Sequence, residues 1–279
     1  SNIVQPTVRL PTSNSPSGKM GIIRLALQLA TTLLFLNTQP VQSFIIAMAW
    51  KDTWADILNG GSPRWKVDDL DAKQKALAHI IEHHHAGGSS LDNCEPMRIL
   101  CPLAGDDPFV QYAWSQGHDV TAIDIVPDAL KAMRSQFGDD VDDWTSENQQ
   151  KSGLVWKHKS GRATLFEGDI LMKRPELVNT FDAIYDKDSF GALSLEMRPK
   201  FCERLSEFHK DGGTLYIEVK NKETGREFGP PYHVEKECLM DPTAFGTWFE
   251  HKASLGEVYP LKMPGMKQTG HILRRALRR

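Results

Sequence analysis
From Met97 onward, short apolar runs alternate with amphipathic stretches, and this alternation constrains the fold more than any other feature of the chain. Residues 97–103 (MRILCPL) read as a strand and 108–117 as a helix. Residues 119–124 (DVTAID) read as a strand, followed by a helix over 127–137 with Pro127 suited to its first turn. Further strands are expected at 163–169, 181–186 and 214–220, with a helix over 196–210 that stops at Asp211-Gly212-Gly213. Strands alternating with helices specify an α/β fold: a mostly parallel sheet with helices on both faces. A helix over 241–252 leads to strands at 256–261 and 268–274, whose Lys-Met-Pro-Gly link suits a C-terminal antiparallel hairpin. The sum is seven strands. Residues 139–162 begin acidic and continue polar, and read as a surface loop. Residues 221–231 carry Gly225, Gly229, Pro230 and Pro231 and read as irregular.

In open α/β sheets, ligands bind beyond the carboxyl ends of the strands where the strand order reverses. The first strand runs into Leu103-Ala104-Gly105. Gly105 permits a tight turn and close approach of a ligand to the backbone. The amides that open the next helix can take a carboxylate. The second strand ends in Asp124-Ile125, nineteen residues after Gly105, where an acid can accept from both hydroxyls of a ribose. The third ends in Gly168-Asp169-Ile170, where the acid can accept from an adenine amino group and Ile170 can offer its amide. A single glycine in place of G-x-G-x-x-G disfavours a pyrophosphate loop. Helix capping and turn formation are the plainer roles for both acids.

The formal net charge of −3 implies no nucleic-acid partner. Cys94, Cys101, Cys202 and Cys238 form no C-x-x-C pair, so neither a zinc framework nor a disulfide framework is signalled. His79 and His83 stand four apart, followed by His84 and His85, a spacing that can bind a metal on a helix. No third carboxylate or cysteine ligand is evident, and cations are favoured at a helix C-terminus. No metal is therefore expected. Residues 1–47 carry Arg9, Lys19 and Arg24 and no acid. Their apolar stretch, 21–36, is shorter than the ~20 residues of a comfortable membrane span. It suits a signal peptide starting at Met20 and cut after Ser43, a pattern similar to a plastid leader, or else a disordered extension ahead of Met48. The first reading implies the plastid or secretory pathway, the second the cytoplasm. A monomer without a membrane span is expected for the domain over 48–279.

Five stretches, in order, resemble the thiopurine S-methyltransferase family, including its halide/thiol methyltransferase branch. They are Trp50-Lys-Asp-Thr-Trp54 with Asn59-Gly60 and Pro63-Arg64-Trp65; Arg98 to Gly105; Gly117 to Ile125; Phe181 to Leu193 with Glu196-Met-Arg198-Pro; and Gly229-Pro230-Pro231-Tyr232 with Val234. The resemblance implies a Rossmann-like class I methyltransferase with an N-terminal lid over 48–70. It also implies S-adenosyl-L-methionine as cofactor. Trp50, Trp54 and Trp65 would line its pocket with Asp186, indole faces being attractive to a sulfonium cation. Trp65, Phe190, Pro230 and Tyr232 would wall the acceptor pocket. Ala104, Asp106 and Lys187 depart from the family at positions near the acceptor. Ser160-Gly161 is similar to the thiopurine branch, while Glu196-Met-Arg-Pro and Gly229-Pro-Pro-Tyr lean to the halide/thiol branch.

The implied reaction is in-line methyl transfer to a small thiol, another sulfur compound or a halide. Such a transfer needs positioning more than acid–base groups. A thiol is already partly ionised at neutral pH, so neither a triad nor a catalytic metal is expected. Lys187 is the candidate for drawing an anionic nucleophile into place. A cofactor-binding module without turnover and an NAD-dependent oxidoreductase on the same sheet are the alternatives.

Overall fold
The computed structural model describes residues 54–57, 59, 69–85, 95–138, 141–149 and 153–277. Trp50, Trp65, Cys94, the 1–47 segment and most of the expected lid lie outside them. All described residues belong to the unit Trp50–Arg279. The first strand, β1 (Arg98–Pro102), shows why the sheet sits in the middle of the domain: Ile99, Leu100 and Cys101 are all buried. A run apolar at every position, with no alternation, fits a parallel strand covered on both faces. It pairs in parallel with β2 (Asp119–Asp124) on one side and β6 (Phe181–Lys187) on the other.

Among the described residues the sheet has nine strands, in the order β3 (Trp144–Gln149), β4 (Gly153–His158), β5 (Ala163–Glu167), β2, β1, β6, β7 (His209–Lys222), β9 (Met266–Arg275), β8 (Phe249–Tyr259). Its parallel centre is completed by β5 (Ala163–Glu167) beside β2 and β7 (His209–Lys222) beside β6. The antiparallel pair β8 (Phe249–Tyr259) and β9 (Met266–Arg275) closes one edge through β7. Helices α1 (Leu70–His85), α2 (Pro108–Ser115) and α3 (Pro127–Arg134) share one core with Ile99, Cys101, Tyr185 and Tyr216. Helix α5 (Arg198–Phe208) packs on the opposite face through buried Phe201, Cys202 and Leu205, after the single turn α4 (Ser189–Ala192). The amphipathic patterns explain the assignment: Ala129, Leu130 and Met133 of α3 are buried, whereas Lys131 is exposed. No helix among the described residues is long and apolar enough to cross a membrane.

Three local expectations are corrected. Residues 139–162 contain a hairpin, β3 (Trp144–Gln149) and β4 (Gly153–His158), which extends the sheet past β5 and brings the strand count from seven to nine. Its polar residues face water, while Trp144 and His158 join Trp114 and Phe137 with ring centroids 5.1–5.9 Å apart. The Arg134 guanidinium lies 3.6 Å from the Trp156 ring. Aromatic packing and cation–π contact thus hold strands that composition alone does not suggest.

The stop at Asp211-Gly212-Gly213 is no stop. Helix α5 ends at Phe208, and the glycines sit in an irregularity of β7, where a Cβ on Gly213 would meet the His209 ring and the Asp182 carbonyl. The expected helix over 241–252 is only the short turn Lys236–Leu239 (α6), which lies ahead of it, and a 3-10 turn at Phe245–Thr247. Phe245 and Phe249 plug the core against Phe190, with ring centroids 5.4 Å apart, and β8 starts at Phe249.

Candidate functional site
The chain leaves β1 toward β2 and β5, then returns to β6 and β7, so the strand order reverses between β1 and β6. Their carboxyl ends flank the crevice where this class of sheet takes ligands. After β1, Leu103 and Gly105 both adopt positive φ (43° and 55°). The left-handed conformation is costly at Leu103 and easy at Gly105, and together they turn the chain into α2. Asp107 caps that helix, its Oδ1 accepting from the Phe109 amide at 2.8 Å.

Asp124 organises one side of the crevice. Its Oδ2 accepts from the Gly105 amide at 2.8 Å and its Oδ1 from the Val126 amide at 2.9 Å. Its own carbonyl accepts from the Gly168 amide at 2.8 Å. One residue therefore ties together the ends of β1, β2 and β5. Burial pushes its carboxyl up to about 6, against the lowering effect of the amides. The Ile125 amide also acts on this carboxylate, and of its four lone-pair sites one is left over. Asp169 accepts from the Leu171 amide at 2.8 Å, and Ile170 beside it is buried. Trp54 is buried against Val126 and Ala129, with Ile125 alongside, so its indole reaches the end of β2.

The end of β6 is built differently. Asp186 is fully buried, its Oδ1 accepting from the Ser189 amide at 2.9 Å while its Oδ2 is buried without a hydrogen bond. Burial raises its pKa to about 7. Ser189 Oγ donates to the Pro102 carbonyl at 2.9 Å, locking β6 to β1. Lys187 meets Asp107 Oδ2 at 3.1 Å, and Asp107, Asp188 and Glu218 outweigh burial to hold its pKa up. Asp188 takes a left-handed backbone (φ 67°) and accepts from Lys220 Nζ at 2.8 Å and Gln268 Nε2 at 3.1 Å. Glu218 of β7 is buried and accepts from Tyr216, Tyr259 and Gln268 at 2.9, 2.6 and 3.2 Å. Burial raises it to about 7.

Beyond β6, three sequence stretches converge on Arg198. Its guanidinium lies 4.4 Å from the Phe190 ring and 5.5 Å from the Tyr232 ring. The Tyr232 amide donates to the Gly191 carbonyl at 2.8 Å, which holds the Gly-Pro-Pro-Tyr loop against α4. Gly229 admits no Cβ because the Tyr232 ring packs over it, and Pro230 beside it is exposed. Arg198 is 6 % exposed, and its Nε donates to the Leu193 carbonyl at 3.2 Å. Its Nη2 is buried without a hydrogen bond. Sequence reasoning quoted Arg198 inside a motif and assigned it nothing; the unusual burial of its charge is visible only in three dimensions. Asp107, Ser189, Glu218, Lys220 and Gln268 were likewise unassigned, since no local pattern separates them from ordinary surface residues.

An open parallel sheet with acids at two strand ends, a glycine turn at the reversal point and an antiparallel closing hairpin defines a class I, S-adenosyl-L-methionine-dependent methyltransferase. The residue set fits that cofactor: a buried carboxylate at Asp124, a buried and incompletely bonded one at Asp186, and a glycine turn at 105 that brings bare backbone to the crevice. Comparison agrees. The sequence profile of Thiopurine S-methyltransferase (TPMT) matches residues 58–258. The chain is similar to a thiopurine S-methyltransferase of Psychrobacter cryohalolentis, at 23 % identity over 63 % of this chain and 80 % of that one. It is similar to one from Legionella pneumophila, at 28 % over 53 % of this chain and 65 %, just under two thirds, of that one. In structure it is similar to the N-methyltransferase NodS of Bradyrhizobium japonicum in complex with S-adenosyl-L-homocysteine (TM-score 0.54, 12 % identity, 81 % and 97 % covered). It is also similar to a didemethyltoxoflavin N1-methyltransferase of Burkholderia thailandensis (TM-score 0.51, 16 % identity, 97 % and 94 % covered). The chain belongs to the thiopurine S-methyltransferase family.

Proposed function
We propose that this protein transfers the methyl group of S-adenosyl-L-methionine directly to a small, soft, anionic nucleophile: a thiolate, another sulfur compound or a halide. The observation that carries this reading is Arg198, a buried guanidinium set between two aromatic rings. Among the described residues no carboxylate pairs with it; burial pulls its pKa down, and Cys238, Tyr232 and Cys202 oppose the shift. A buried cation lacking an acid is costly unless an anion meets it. Phe190 and Tyr232 supply the apolar walls that suit a polarisable acceptor.

When bound, the cofactor supplies an activated methyl on a sulfonium. In this reading Asp124 holds the ribose, Asp169 and Ile170 the adenine, and Leu103, Gly105 and Ile125 the surrounding contacts. Trp54, packed at the end of β2, lines the cofactor pocket; the same role for Trp50 and Trp65 falls outside the described residues. Asp186 accepts from the amino-acid end. Lys187, already matched by Asp107, fixes the β6 end as a positioning residue. Attraction of the anion passes from Lys187 to Arg198. Trp65, Pro230 and Tyr232 exclude water from the nucleophile, which strengthens its attraction to the guanidinium.

The test is an acceptor screen that follows S-adenosylhomocysteine release with iodide, bisulfide, thiophenol, a thiopurine and 4-methylthio-2-hydroxybutyrate. Turnover is expected with at least one anionic acceptor. Arg198→Met should raise KM for that acceptor by about tenfold or more, the value of a charge-assisted contact, and leave cofactor affinity unchanged. Cofactor binding with no turnover on any acceptor would make the protein a binding module instead.

A further inference from the structure
Helix α1 ends on a group of side chains that methyl transfer does not use. His79, Glu82 and His83 each bring one ligating atom to within 4.8 Å of the other two. The spacing i, i+3, i+4 puts them on one turn. The sequence reading stopped at the two histidines; Glu82, adjacent to His83, completes the set.

The chemistry of each group favours a cation. His79 Nδ1 is buried, makes no hydrogen bond, and lies 3.7 Å from Glu82 Oε2. Its ring lies near-parallel to that of Tyr216, 6.5 Å between centroids and 15° between planes. His83 Nδ1 lies 3.0 Å from the His79 carbonyl. A carbonyl only accepts, so this bond places the proton on Nδ1 and leaves the Nε2 lone pair for a metal. Metal-binding histidines are commonly oriented in this way. Glu82 is exposed, which leaves coordination positions open to water. The helix C-terminus adds a negative field that favours a cation. Two imidazole nitrogens with one carboxylate select borderline transition ions over the all-oxygen preference of magnesium and calcium.

We propose that His79, Glu82 and His83 form a surface site for a divalent transition ion of the zinc, nickel or copper type, bracing the last turn of α1. The test is calorimetric titration of the full chain with Zn²⁺, with Mg²⁺ as comparison, alongside Tm with and without Zn²⁺. Zn²⁺ should bind and raise Tm by mass action, and Mg²⁺ should do neither. His79→Ala and His83→Ala should each weaken zinc binding by at least about tenfold, with Glu82→Gln less affected. His251→Ala, at the separate His251–His271 pair (3.3 Å apart), should leave it unchanged. If His79→Ala fails to fold, His83→Ala keeps the test open and should show no zinc-induced rise in Tm. Unchanged zinc affinity in a folded His83→Ala protein, or binding no stronger than that of Mg²⁺, would overturn the proposal.

Discussion

The two halves of the crevice are held together by different forces. On the side of β1, β2 and β5, carboxylates and carbonyls take backbone amides: Gly105 and Val126 on Asp124, Gly168 on its carbonyl, Leu171 on Asp169. On the side of β6, β7 and β9, Asp186 takes the Ser189 amide, but most contacts join polar and charged side chains: Lys187 with Asp107, Lys220 with Asp188, and Gln268 with both Asp188 and Glu218. Every residue but proline carries a backbone amide, so the hydrogen bonds of the first half depend on its acids and not on the side chains of the residues that donate. In the second half each contact depends on the identity of both side chains. The difference teaches how each half responds to substitution: the first is held through backbone amides, the second through pairs of side chains.

The strongest way to break this contrast is at the buried ion pair. Lys187 and Asp107 side chains are 7 % and 14 % exposed. Lys187→Met leaves the Asp107 charge without its partner and should cost ~3–5 kcal/mol of stability, measured by urea unfolding. Lys187→Met/Asp107→Asn should recover most of it, because Asn caps α2 as well as Asp does. Failure of the double variant to recover would show the pair to be incidental.

Next is Asp124→Ala, which strips partners from two amides and removes the proposed ribose acceptor. Affinity for S-adenosylhomocysteine should fall at least about tenfold, from the loss of ~1.5–3 kcal/mol of charge-assisted hydrogen bonding. An unaltered affinity by calorimetry would take Asp124 out of the site.

A smaller effect sharpens the comparison through pH. Folded Asp186 keeps its proton up to about pH 7, whereas the ordinary carboxyl releases it near 3.8. In that window the folded state holds the extra proton. Its contribution is therefore fully present below pH 3.8 and is lost as pH rises through 7. Glu218 and Asp124 act in the same direction, whereas His271, depressed to about 4 by burial and by His251, acts in the opposite one. Asp186→Asn should flatten the decline in stability between pH 4 and 7 by roughly 1 kcal/mol or more. An identical slope in the variant would contradict the assignment.

The smallest expected change is at the sheet edge. Arg134→Ala, which removes the guanidinium from the Trp156 ring, should lower stability by about 0.5–1 kcal/mol and leave cofactor affinity untouched. A loss of cofactor binding there would mean that the added hairpin communicates with the crevice.

Where sequence reading succeeded, the reason is local. The continuous apolar run Ile99-Leu100-Cys101 and the Pro at the start of α2 and α3 act through their immediate neighbours. So does the glycine after β1. Where it failed, a distant partner had overridden the local signal. Trp144 and Trp156 turned a polar stretch into strands by packing on Phe137 and Arg134. Gly213 sits in a strand because His209 occupies the space its side chain would need.

Taken alone, the sequence determined the parallel sheet, its closing hairpin and the strand ends that carry Gly105, Asp124 and Asp169, because period and turn chemistry are encoded within a few residues. Only the tertiary structure decided that Lys187 is matched by Asp107, eighty positions away, and that Gln268 answers Asp188 across the same span. It alone shows Arg198 lodged between Phe190 and Tyr232. The physical reason is that a buried charge takes its meaning from whatever surrounds it, and those surroundings are assembled from segments that no local window contains.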